Sequence, residues 1–251
     1  MANPTMRQLL LELSPPAPPS FDNFIAAANS AVLDVLQQWL QTPAQSGKNT
    51  AFHLCGERGA GKSHLLHAAV ALGFSYYNAK EHPALNELDA QDGRYQPGVA
   101  LAIDHLEALD AAGEATLFRC FNHVHHAGGK LLSASVQPPL SLAMREDLRT
   151  RLGSGVVCRL RPISDEDKRA ALQQQCAARR MKLPPEALDY LFNHAARDMR
   201  TLSTLIDTLD RYSLETKRTL TLTLLRGVLN ESMQPTQPLQ SKLNTGESPS
   251  A

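Results

Sequence analysis

The eight residues Gly56-Glu57-Arg58-Gly59-Ala60-Gly61-Lys62-Ser63 have the spacing G-x-x-x-x-G-K-[ST], which constrains the fold more than any other feature of the chain. That spacing needs a strand leading into a tight glycine-bearing loop and a helix leading out, because only then do backbone N–H groups converge on one anion. Both flanks comply: residues 50–55 read as a short buried strand and residues 62–72 as a helix. Such a loop holds a nucleoside triphosphate. Its glycines let the backbone close around phosphate oxygens, Lys62 supplies a mobile positive charge, and the Ser63 hydroxyl can ligate Mg²⁺. The alternative, a glycine-rich turn with a fortuitous Lys-Ser pair, does not account for strand, loop and helix in the required order.

At 251 residues and 43% hydrophobic composition, the chain can bury one substantial core and a smaller second unit. Its formal net charge of zero excludes a protein held on DNA mainly by a global positive excess, though not a local basic patch. Cys55, Cys120, Cys158 and Cys176 stand far apart with no C-x-x-C pair, which points to reduced thiols in a cytosolic protein. No apolar run is long enough to span a bilayer. The apolar stretch near the start is cut by Glu12 and followed by prolines, unlike a secretory signal.

The proline-rich run 14–20 predicts an extended spacer, so residues 1–20 form a tethered leader. An apolar pattern from Phe21 to about Trp39 predicts a helix that feeds the strand before the loop. Further strands are expected at 74–78, 99–104 and 130–135, with a helix at 114–127. Apolar runs alternating with helical patterns argue for an α/β fold, a parallel sheet flanked by helices, over residues 21–163. The stretch up to Pro97 stays unassigned. Ser164 followed by Asp167 reads as a helix start, and helices at about 165–181, 185–196, 198–215 and 222–231 predict a small all-helical domain over 164–231. Residues 232–251 read as a disordered polar tail.

Asp104 ends its predicted strand, the position from which a carboxylate helps hold Mg²⁺ opposite the loop hydroxyl. A turn-capping Asp is the competing reading. His123, His125 and His126 look like a metal cluster, but no carboxylate or Cys stands at matching spacing. His64 is placed with the nucleotide-binding residues, although its side chain and that of His67 share a helix face suited to packing or surface.

The ordered set Phe21-Asp22-Asn23-Phe24-Ile25, Gly61 to Ala68, Ile103-Asp104, Arg145 to Leu152, Ser164 to Lys168 and Arg197 to Leu202 resembles the AAA+ class. Within it, the set resembles the DnaA-related branch, specifically the Hda type of regulatory protein. The resemblance implies a P-loop domain followed by a helical lid. It implies ADP or ATP with Mg²⁺ held by Gly56, Gly59, Gly61, Lys62, Ser63, His64, Asp104 and Arg200, with Ser63 and Asp104 on the metal. Arg151 is implied as an arginine finger reaching the nucleotide of a neighbouring subunit, against a surface Arg in a basic turn. Arg149 is open to a docking role, and Arg200 to pairing with Asp198 or Asp207.

The implied function is negative regulation of chromosomal replication initiation, by stimulating ATP hydrolysis in the DnaA initiator. The implied partners are the initiator and the β sliding clamp of DNA polymerase III, with DNA reached through the clamp and a homodimer possible. The implied location is cytoplasmic, associated with the nucleoid through partners. Gln8, Leu9, Leu11 and Leu13 resemble the family's Q-L-x-L-x-L clamp-binding peptide, with Glu12 where proline is frequent and with Met6 as a candidate start. A leader packing on its own domain is the alternative. The chain ends after the lid, where initiators continue into a helix-turn-helix domain. His105 stands where initiators carry a second carboxylate, and Ser135 and Val136 stand where a polar sensor is usual, so weak or absent hydrolysis is expected; Glu107 is the one nearby substitute. A helicase-loading adaptor of the same superfamily and a free-standing P-loop ATPase or kinase remain alternatives.

Overall fold

The computed structural model describes residues 17–45, 48–89, 98–181, 183–194 and 199–216. They fall into two compact units divided between Ala171 and Leu172. The leader with Gln8, Leu9, Leu11 and Leu13, the expected helix at 222–231 and the tail lie outside the described residues.

The first unit is built on a five-stranded parallel sheet in the order β2-β3-β4-β1-β5. Its strands are β1 (Ala51–Cys55), β2 (Ser75–Asn78), β3 (Ala100–Asp104), β4 (Lys130–Ser135) and β5 (Val156–Arg159). The helices are α1 (Ser30–Gln41), α2 (Lys62–Val70), the short α3 (Asn86–Asp89), α4 (Ala111–Ala127) and α5 (Glu146–Gly153). Apolar side chains occupy both faces of the strands, as parallel sheets covered twice require. Phe52, Leu54, Ala102, Leu132 and Ala134 pack with Leu36 and Trp39 of α1 and Leu65, Leu66 and Ala69 of α2. On the opposite face Leu101, Ile103 and Leu131 pack with Leu117, Cys120, Phe121 and Val124 of α4 and Leu148 and Leu152 of α5.

The helix expected from Phe21 begins only at Ser30, after a 3₁₀ turn at Ala27–Asn29. Side chains take the backbone instead: Ser20 N–H donates to Asn23 Oδ1, Asn23 N–H donates to Ser20 Oγ, and the Asn23 amide donates to Pro18 O. These local bonds offer residues 18–23 an alternative to the helical ladder. At its other end α1 is tied to the sheet by Lys130, whose Nζ donates to the carbonyls of Trp39 and Leu40 at 2.8 and 2.6 Å.

The second unit is helical. Helix α6 (Asp165–Ala178) straddles the division, and α7 (Pro185–His194) and α8 (Met199–Thr216) follow. Ser164 caps α6 as its sequence indicates: Asp167 N–H donates to Ser164 Oγ at 3.0 Å and the Ser164 hydroxyl donates to Asp167 Oδ2 at 2.9 Å. Leu172, Leu188, Leu191, Phe192, Leu202 and Ile206 form its core. No described helix is long and apolar enough to cross a membrane.

Candidate nucleotide site

The chain leaving β1 runs to β2 at one edge of the sheet, whereas the chain leaving β4 crosses over to β5 at the other. Opposed crossovers open a crevice at the C-terminal ends of the strands, where α/β proteins bind ligands. Gly56–Ser63 lies in that crevice. The register sets Cys55, the last residue before the loop, beside Ser135 at the end of β4.

Two glycines are dictated by geometry. A Cβ on Gly56 would lie 2.3 Å from the Leu160 carbonyl oxygen, so the backbones of residues 56 and 160 meet only without a side chain. Gly61, the residue before α2, has φ +94° in left-handed space, and a Cβ there would stand 2.7 Å from the Phe24 ring. Helix α2 starts with no side-chain cap, which leaves its first turn to a ligand able to accept from N–H groups. The Lys62 ammonium folds over the loop and donates to the carbonyls of Gly56 and Glu57 at 2.6 and 2.9 Å. Burial pushes its pKa down, and the carboxylates of Asp104 and Glu107 work in the opposite sense. Ser63 is half-buried beside it. His64 faces the N-terminal segment: its Nε2 lies 2.9 Å from the Ser20 carbonyl and its ring packs on Phe24 at 5.5 Å.

Asp104 is fully buried at the end of β3. Its Oδ1 accepts from His105 N–H at 2.8 Å and its Oδ2 from the Tyr76 hydroxyl at 3.2 Å. The Tyr76 ring stacks on His67 with centroids 3.9 Å apart, and burial followed by the Asp104 charge raises the phenol pKa, so the hydroxyl stays a donor. Each Asp104 oxygen retains a lone pair after these bonds. A buried carboxylate and a serine hydroxyl make an oxygen donor set that fits Mg²⁺.

A polar ladder backs the site within the sheet. His53 of β1, 1% exposed, places Nδ1 2.8 Å from Ser133 Oγ and Nε2 2.8 Å from Ser135 Oγ, both on β4. The Ser135 hydroxyl spends its proton on the Gln137 carbonyl. It therefore accepts from Nε2–H, and Nδ1 accepts from Ser133. Burial lowers the His53 pKa to about 4, consistent with this neutral ring. Sequence reasoning missed His53 and Tyr76, because each acts through a strand distant along the chain.

Arg151 lies in the last turn of α5, and its guanidinium is held by residues of α4. Its guanidinium stacks on Phe118 at 4.5 Å and donates to Asn122 Oδ1. Arg145 covers the same ring at 5.3 Å and pairs with Asp147 at 2.7 Å. These three residues, with Glu146 and Thr150, line a shallow surface depression. Arg200 is the second residue of α8, and its side chain lies outside the described residues. Asp207, one partner considered for it, pairs with Arg179 at 2.5 Å. No cluster of three or more His, Cys, Asp or Glu side chains able to hold a metal occurs among the described residues; His125 stacks on Phe121 and meets Thr50 Oγ1 at 3.3 Å. None of the four cysteines is in a disulfide.

Comparison with known proteins places this architecture. The family model for the Hda lid domain matches residues 165–229. Domain III of the Thermotoga maritima replication initiation protein DnaA is similar over 88% of this chain and 100% of its own, at 23% identity and a TM-score of 0.64. AMPPCP-bound DnaA from Aquifex aeolicus is similar over 79% of this chain and 69% of its own, at 18% identity and a TM-score of 0.57. A Thermotoga maritima RuvB variant is similar over 85% and 72%, at 17% identity and a TM-score of 0.59. At these identities the structural likenesses show the fold.

Proposed function

We propose that this chain, whose residues 165–229 match the Hda lid-domain model and whose fold is that of DnaA domain III, is an Hda-type, nucleotide-bound negative regulator of replication initiation that docks on the sliding clamp and stimulates ATP hydrolysis by the DnaA initiator. ADP or ATP sits against Gly56, Gly59, Gly61, Lys62, Ser63 and His64, with Arg200 contributing from the lid. In support, Gly56 and Gly61 stand where a side chain would collide, and DnaA structures of this fold are described as AMPPCP-bound. Ser63 and Asp104 would hold Mg²⁺, which would supply positive charge against the terminal phosphates. Residue 105 supplies no carboxylate and Val136 no polar side chain, so hydrolysis in this pocket is weak.

Arg151 is the residue that acts on the neighbour. A planar, permanently charged guanidinium stabilises charge spread over a transferring phosphoryl group and contributes about 10³–10⁵ in rate where such fingers operate. The observation that supports this reading is the mounting of Arg151 on α5, oriented by Phe118 and Asn122 beside a surface depression. Gln8, Leu9, Leu11 and Leu13 bind the β clamp, a Gln at a pocket rim with spaced leucines in an apolar groove. DNA is then reached through the clamp. The test is hydrolysis of initiator-bound ATP on clamp-loaded DNA at fixed salt, with and without this protein.

A further inference from the structure

His105 adopts a left-handed conformation, φ 60° and ψ 48°, costly for a residue with a side chain. It turns the chain out of β3 into a 3₁₀ turn, Leu106–Ala108, whose Leu106 plugs into the core. The turn carries Glu107 back toward the end of β4. There Glu107 Oε2 accepts from the Val136 N–H at 3.2 Å, and Oε1 lies 3.3 Å from His105 Nδ1. The same Val136 residue accepts through its carbonyl from the Gly56 N–H, also at 3.2 Å. One residue thus links the exit of β3 to the first glycine of the phosphate loop.

We propose that Glu107 is a positioning residue of the nucleotide site: its carboxylate holds the Val136 backbone, and Val136 in turn holds Gly56 through the main chain. A carboxylate acceptor makes a hydrogen bond about twice as strong as a neutral one. Bonded groups in series also polarise one another, which strengthens the Val136 carbonyl as an acceptor for Gly56. The arrangement gives Glu107 a task other than general base, and it uses only the backbone of Val136. Its consequence for ligand affinity rests on the nucleotide-site reading above; its consequence for the loop backbone does not.

Two variants separate reach from charge. Glu107→Gln keeps an acceptor oxygen at the same reach without charge, and Glu107→Asp keeps the charge but withdraws it by one methylene. In the nucleotide-free protein, amide hydrogen exchange at Gly56 is expected to speed up about tenfold in Glu107→Asp, which loses the contact, and about threefold in Glu107→Gln, which loses only the charge. Affinity for a fluorescent methylanthraniloyl-ADP with Mg²⁺ should fall about tenfold in the Asp variant and about threefold or less in the Gln variant. Unchanged Gly56 exchange in the Asp variant, or equal effects in both variants, overturns the proposal. Failure of the wild-type protein to bind the ADP probe would overturn the nucleotide-site reading, while Gly56 exchange still decides the clasp.

Discussion

The Arg151 guanidinium donates to the Asn122 side-chain oxygen while its plane lies over Phe118, so α4 sets the direction in which α5 presents its last cation. Arginine gives up about 2 kcal/mol of rotamer entropy when fixed, and a partner that pre-fixes it lowers that cost at the moment of docking. Asn122→Ala should therefore reduce stimulation of initiator hydrolysis about three- to tenfold without changing nucleotide affinity. An increase on removing Asn122 would mean that the contact restrains Arg151.

The buried His53 makes stability pH-dependent. The unfolded imidazole titrates near 6.5 and the folded one near 4. Above about pH 6.5 both states are neutral and the stability is intact. As pH falls toward about 4 the unfolded chain takes up a proton that the folded chain resists, which costs about 3 kcal/mol before levelling off. His53→Gln retains an amide donor and acceptor without titrating. Denaturant melts between pH 7 and 4 should show a flatter profile for the variant than for wild type.

Tyr76 is separable from its ring. Tyr76→Phe keeps the stack on His67 and removes only the bond to Asp104 Oδ2. Because that acceptor is charged and fully buried, the loss should be about 1.5–3 kcal/mol in chemical unfolding. Loss of less than about 0.5 kcal/mol would mean that another donor reaches Asp104.

The proposed clamp-binding role of residues 8–13 is tested by Gln8→Ala with Leu11→Ala, which would remove the proposed rim donor and one of the leucines proposed for the groove. Retention of this double variant on immobilised clamp should fall to background. Undiminished retention would assign residues 8–13 another use.

The phosphate loop was legible in sequence because its geometry is written in eight consecutive residues, and Asp104 because an apolar run ended on it. Strand β5 was not anticipated: Val156–Arg159 is four residues long, alternates between half-buried and exposed, and is defined by its pairing with β1. Helix α5 read as a cluster of arginines because its apolar content reduces to Leu148 and Leu152, both buried against a helix distant in sequence. The apolar residues after Phe21 suggested helix, but local Ser20 and Asn23 bonds took the backbone. The supports of the site are the least visible part. Tyr76 to Asp104 and His53 to Ser133 and Ser135 join strands brought together by crossovers, and no local pattern marks them.

The most direct measurement is the rate at which ATP bound to DnaA is hydrolysed on clamp-loaded DNA at fixed salt, with wild-type protein and with Arg151→Ala at matched nucleotide occupancy. The account predicts strong stimulation by wild type, and for the Ala variant normal nucleotide and clamp binding with hydrolysis at the rate of the initiator alone. Full stimulation by Arg151→Ala would contradict it.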